Sequence, residues 1–132
     1  MAAGPLREIA SGGELSRVML ALMSVANAGN EATLVFDEVD AGIGGHTARA
    51  VGEQLRSLSE THQVLCITHL PQIASLGARH FSVAKDTGVS PTRTIVRRLD
   101  ESEVVPELVR MLGAGEDDVA ARRHARELRR AA

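Results

Sequence analysis

The stretch from Thr33 to Gly45, TLVFDEVDAGIGG, limits the possible fold more than any other part of the chain. Leu34, Val35 and Phe36 run into two adjacent carboxylates, Asp37 and Glu38, and then into a turn-rich segment with three glycines and a further acid, Asp40. A short apolar run bounded by turn signals predicts a buried strand of a parallel sheet. Such a strand delivers its last residues to the carboxyl edge of the sheet, where open α/β folds bind ligands. Two like charges side by side at that edge repel unless a cation, such as a hydrated Mg²⁺, offsets them. Successive side chains of an extended strand point to opposite sides, so Asp37 and Glu38 suit different tasks, one toward a metal and the other toward an attacking water. The competing reading is an acidic strand end that is only solvated.

The segments on either side extend this strand into an α/β unit. Leu15, Val18, Met19, Leu22, Val25 and Ala26 recur at spacings of three and four and predict an amphipathic helix over 14–28 with one buried face. Ser11-Gly12-Gly13-Glu14 stands in front of it and fits a capping box. Capping does not explain the paired glycines, which let a bulky partner approach bare backbone N–H groups. A helix N-terminus exposed in this way suits a phosphate, and both readings stand. Val51, Leu55 and Leu58 predict a second helix over 46–61, and Gln63 to Ile67 a second strand that stops at Thr68-His69-Leu70-Pro71. Strand, helix, strand at this spacing is a βαβ unit with parallel strands and a right-handed crossover. Asp37, Glu38 and His69 therefore leave the same edge of the sheet, although His69 could also be a structural loop histidine.

Farther on, Pro71 suits the first turn of a short helix over 71–76. Alternation over 80–85 and 92–99, joined by DTGVSP, predicts an antiparallel hairpin at one side of the sheet. Val104, Leu108 and Leu112 share one helical face, Gly113 and Gly115 break the run, and Asp117 to Arg130 forms a last helix. Acids at its front and Arg126, Arg129 and Arg130 at its end suit the helix dipole, with a DNA-facing patch as the other reading.

Composition narrows the function. The 132 residues are 44% hydrophobic, enough for the core of a single domain over 1–132. No stretch approaches the roughly 20 apolar residues of a membrane span, and no secretory pattern opens the chain, so the expected location is cytoplasmic and no membrane partner is expected. A single cysteine, Cys66, inside an apolar run leaves no internal disulfide and reads as core packing. Net charge is −2, with no Trp or Tyr and only two Phe, so the basic groove and aromatic platforms of a single-strand-binding module are missing.

SGGE before a helix, an apolar strand ending in DE, a glycine-rich loop with Asp40, and an apolar strand ending in TH form an ordered set far more specific than its parts. The set resembles the second half of an ABC-type ATPase head. Ser11 to Glu14 matches the signature motif, Leu34 to Glu38 the Walker B strand, Val39 to Gly45 the D-loop, and His69 the switch histidine. The spelling DEVDAGIGG, Glu14 in place of the transporters' Gln, CITHLPQIA, and a tail reading VRMLGAGE…HARELRR are similar to the SMC-like branch that serves bacterial DNA double-strand-break repair. The resemblance runs from about Leu6 to Arg130.

That resemblance implies an α/β fold, a partial P-loop NTPase head lobe with a mostly parallel sheet, flanking helices, and a C-terminal hairpin plus helices. It implies ATP and Mg²⁺ as ligands. Asp37 would hold the metal through water, Glu38 would be the general base, and His69 would contact the γ-phosphate or orient the water. Ser11, Gly12, Gly13 and Glu14 would reach nucleotide across a head-to-head homodimer, and Asp40 would help join the two sites. A complete head also needs GxxxxGK[ST]. Lys85, the only lysine, is followed by Asp86 with no such pattern before it, and the family's glutamine-loop residue and coiled coil are absent too. The implied partners are an N-terminal Walker A lobe of the same parent protein and, for that parent at the nucleoid, DNA. The rival reading is an interaction or dimerisation lobe without turnover of its own, or the equivalent lobe of another SMC-like or ABC ATPase.

Overall fold

The computed structural model describes residues 14, 17, 18, 20–22, 33–88 and 90–132. The chain divides into two compact units, Met1–Leu76 and Gly77–Ala132.

In the first unit, β1 (Thr33–Phe36) pairs in parallel with β2 (Gln63–Cys66), and α1 (Gly45–Leu58) crosses between them. The register sets Leu34 beside Val64 and Phe36 beside Cys66, and the Ile67 N–H donates to the Phe36 carbonyl at 2.9 Å, carrying the pairing past the end of β2. Alternation then separates two faces. Phe36 is buried, and Leu34, Val64 and Cys66 pack against the core, while Val35, Leu65 and Ile67 lie exposed on the other face. Ala48, Val51, Gly52, Leu55 and Leu58 form the buried stripe of α1, with the expected Val51, Leu55 and Leu58 among them. The helix stops three residues before Thr61, where the Ser59 hydroxyl donates to the Arg56 carbonyl and the chain turns. A short α2 (Pro71–Ala74) starts on Pro71 as expected, since a missing N–H costs nothing in a first turn.

Helical backbone at residues 14, 17, 18 and 20–22 agrees with the expected first helix. Its buried face differs from the expected one. Leu20 is buried in the core, whereas Val18 and Leu22 are exposed. The run VMLALM is apolar around most of its circumference, so spacing alone leaves the inward face undecided.

In the second unit, β3 (Phe81–Asp86) and β4 (Arg93–Arg98) pair antiparallel. The hairpin expected at one side of the parallel sheet is a two-stranded sheet of its own. It is followed by α3 (Glu101–Met111) and α4 (Val119–Arg130). Leu99, Val104, Leu108, Val109 and Ala125 are buried. The Glu103 carboxylate accepts the Asp100 N–H at 2.8 Å and two bonds from Arg97, which fixes the start of α3. Gly113, at φ +74°, ends the helix in the left-handed conformation that suits glycine. The Asp118 carboxylate caps α4 by accepting the Ala121 N–H at 2.9 Å. Arg129 does more than match a dipole: its guanidinium donates to the Gly77 carbonyl at 2.9 Å and pairs with Glu101 at 3.1 Å.

Candidate functional site

Both parallel strands end at one edge, and the loops that leave them carry Asp37, Glu38, Asp40, Thr68 and His69. Extended backbone ends at Phe36, and the next four residues turn sharply. Asp37 and Glu38 are exposed, whereas Val39 is 1% and Asp40 3% exposed. Glu38 holds a φ of +57°, and its carbonyl accepts the Ala41 N–H at 3.1 Å, closing the turn. That backbone reversal sends Val39 into the core and Asp40 beneath the second loop while leaving two carboxylates in solvent.

Oδ2 of Asp40 is the centre of the arrangement. It accepts the Thr68 hydroxyl at 2.5 Å and the His69 backbone N–H at 2.9 Å, and it lies 3.1 Å from His69 Nδ1. The Thr68 oxygen in turn accepts the Leu70 N–H at 3.0 Å, which holds the loop ahead of α2. Burial by itself pushes the Asp40 carboxyl up, but the Thr68 hydroxyl, the His69 N–H and the nearby imidazole outweigh it and hold the group below the usual carboxylate range. The His69 ring, by contrast, has 74% of its side chain in solvent. Burial pushes the neighbouring Cys66 thiol up to about 11, with the Asp40 and Asp37 charges adding to the effect, so its sulfur is a packed thiol and not a nucleophile.

The structure thus brings Asp37, Glu38 and His69 to one edge, as the strand spacing predicted. Glu14 is helical and exposed, while Ser11, Gly12 and Gly13 lie outside the described residues. Asp40, expected from the resemblance at the join between two sites, is enclosed in its own chain and bonded to the loop of His69. Sequence reasoning missed Thr68. Its signal was available in principle, because a hydroxyl next to the candidate histidine, at the same sheet edge as a turn carboxylate, is a ready donor to it. No group of three metal-ligating side chains occurs among the described residues, so these residues offer a cation no cage of their own.

No protein-family model matches the chain. Individual relatives do. The chain is 49% identical over 130 residues to DNA repair protein RecN of Treponema pallidum (strain Nichols), covering 98% of this chain and 23% of the relative. It is 52% identical over 125 residues to RecN of Deinococcus radiodurans, covering 95% and 22%, and 44% identical over 124 residues to RecN of Bacillus subtilis (strain 168), covering 93% and 22%. It spans about a fifth of the length of these relatives. In three dimensions it is similar to a solved chain from work on ATP-driven dimerization and DNA-stimulated activation of SMC ATPases, with a TM-score of 0.60 at 21% identity, covering 80% of this chain and 63% of that one. At 44–52% identity over more than nine-tenths of its length, the chain belongs with the RecN proteins as a segment about a fifth as long as they are, and it has the fold of that SMC ATPase chain.

Proposed function

We propose that this chain is the C-terminal lobe of the ATP-hydrolysing head of an SMC-like protein of DNA double-strand-break repair and recombination. The carrying observation is the convergence of Asp37, Glu38 and His69 at the carboxyl edge of β1 and β2. The lobe acts in the cytoplasm, at the nucleoid, within a parent protein that engages DNA.

Phosphoryl transfer asks a protein mainly for positioning and charge stabilisation. Asp37, exposed at the strand end, fits a single ligand to Mg²⁺ through water, and the described residues hold no cage to supply the rest. The remaining ligands would have to come from outside this chain, from ATP phosphates and the hydroxyl of a Walker A loop on the N-terminal lobe. When bound, the metal neutralises charge that develops on the phosphates. Glu38, turned out into solvent by its positive φ, takes the proton of the attacking water. His69 contacts the γ-phosphate or orients that water. Ser11, Gly12, Gly13 and Glu14 grip the nucleotide held by the second subunit of a head-to-head homodimer.

The uncovered sheet face supports the half-head reading. Parallel sheets are ordinarily covered on both faces. Here Val35 and Ile67 are 64% and 61% exposed, which leaves an apolar surface for a missing lobe. The same absence favours a second reading of the chain taken alone, as an interaction lobe without turnover, since its only lysine sits on β3 and not in a phosphate loop.

ATP turnover by the purified chain, alone and with the N-terminal lobe, tests both. The chain alone should hydrolyse none, and the reconstituted head should be active. Glu38→Gln in that head should keep ATP binding and lower turnover on the order of a hundredfold to ten-thousandfold. Appreciable hydrolysis by the chain alone would sink the half-site reading.

A further inference from the structure

Asp40 spends one buried oxygen on two loops. Oδ2 accepts the Thr68 hydroxyl and the His69 N–H and lies within hydrogen-bond reach of His69 Nδ1, while the rest of the imidazole stands in solvent. A carboxylate needed only to cap the loop backbone would be satisfied by the first two donors. The ring contact does something else. A neutral imidazole carries one proton, and which nitrogen holds it is set by the bond the other nitrogen makes. A buried, ionised carboxylate accepts only, so it selects the tautomer with hydrogen on Nδ1 and leaves the Nε2 lone pair directed away from it. Exposed rings otherwise turn freely, so the same contact also fixes the ring plane.

From this geometry we infer that Asp40 is the positioning residue for His69, holding it as the Nδ1–H tautomer with Nε2 presented at the sheet edge. The inference rests on the head reading for what His69 meets there, but not for the tautomer; a bare Nε2 only accepts, so of the two partners it suits the attacking water and not a γ-phosphate oxygen. Asp40 also sets the spacing between the two candidate catalytic groups. Glu38 lies two residues before it in a turn closed by the Glu38 carbonyl and the Ala41 N–H, and His69 hangs from its carboxylate. Displacing either loop therefore displaces the other, and the base and the histidine keep their separation.

Nitrogen-15 NMR of the histidine-labelled 132-residue chain tests this, with the His69 signals among five histidines identified by their loss in His69→Gln. With the ring neutral, His69 should show a protonated Nδ1 and a bare Nε2. In Asp40→Asn the side-chain amide can donate to Nδ1, and the signal should shift toward the Nε2–H form. Thr68→Val removes a neighbouring donor but not the ring contact, and it should retain the Nδ1–H form. A wild-type His69 already in the Nε2–H form, or a spectrum unchanged by Asp40→Asn, overturns the inference, and the wild-type spectrum decides even if the variant fails to fold. In the reconstituted head, Asp40→Asn should lower kcat on the order of tenfold to a hundredfold with KM little changed, as when other carboxylates that orient a histidine are removed. An unchanged kcat beside an active wild type removes the positioning role. An inactive wild-type head counts against the head reading, and the tautomer still decides for Asp40.

Discussion

Glu38 adopts a left-handed backbone conformation that costs a non-glycine residue on the order of 1 kcal/mol, and it persists because Val39 and Asp40 on its far side are both buried. Asp40 repays part of that strain through charge-assisted hydrogen bonds, and this makes the turn sensitive to acid. Its carboxyl titrates below the unfolded value of 3.8, so its contribution is complete above that value and is lost as pH falls through the folded pKa. We expect the melting temperature of the chain to drop steeply below about pH 4. Asp40→Asn should be less stable at neutral pH by about 1.5–3 kcal/mol and should lose less on acidification. Equal acid sensitivity in the two proteins would count against it. The exposed acids and the histidine were legible from the chain because strand spacing alone brings them to one edge. The inward turn of Asp40 was not, since its partners lie 28 and 29 residues away and nothing local announces them.

Among the elements, the packing of α1 on α2 turns on Gly52. A Cβ there would meet Leu76 Cδ1 at 2.5 Å and the Ile73 Cα at 3.3 Å. Leu76 can swing its terminal methyl aside, but the backbone of α2 has less room to move. For Gly52→Ala the gain in helix propensity, about 1 kcal/mol, offsets the crowding and leaves stability nearly unchanged. Gly52→Val adds branched bulk against Ile73 and should destabilise by about 2 kcal/mol in denaturant unfolding. Because α2 follows directly on the loop of His69, the Val variant should also disturb the candidate site, which chemical shifts of His69 can report. The βαβ unit, the hairpin and both tail helices were readable because each follows a clean period or a cap. The inward face of the first helix was not, because apolar residues surround it and only tertiary contact selects Leu20 over Val18 and Leu22.

At the scale of the whole molecule, the proposed site is divided among partners, and the role of Ser11 can be tested by mixing. Ser11→Arg in the full-length protein should leave ATP binding by the monomer nearly intact and block closure of the dimer. Combined with a Walker A mutant, it should recover some ATPase activity that neither has alone, because one site of a mixed dimer then carries both lesions and the other carries none. Rescue absent despite mixed dimers proven by cross-linking, with ATP affinity of the Ser11 variant already lost, would return Ser11 to its own subunit's site.

If the proposed head is right, the uncovered sheet face gives Val35, Leu65 and Ile67 two different selective environments. In the separate chain these side chains sit in water, where a polar replacement costs little. Against a second lobe the same replacement leaves a polar group in an apolar seam, where it costs on the order of 1–3 kcal/mol without a partner. A mutational scan of the lobe by itself would therefore rank these positions as permissive, and a scan of the parent protein for survival of broken chromosomes would rank them as intolerant. The gap between the two rankings would trace the seam residue by residue.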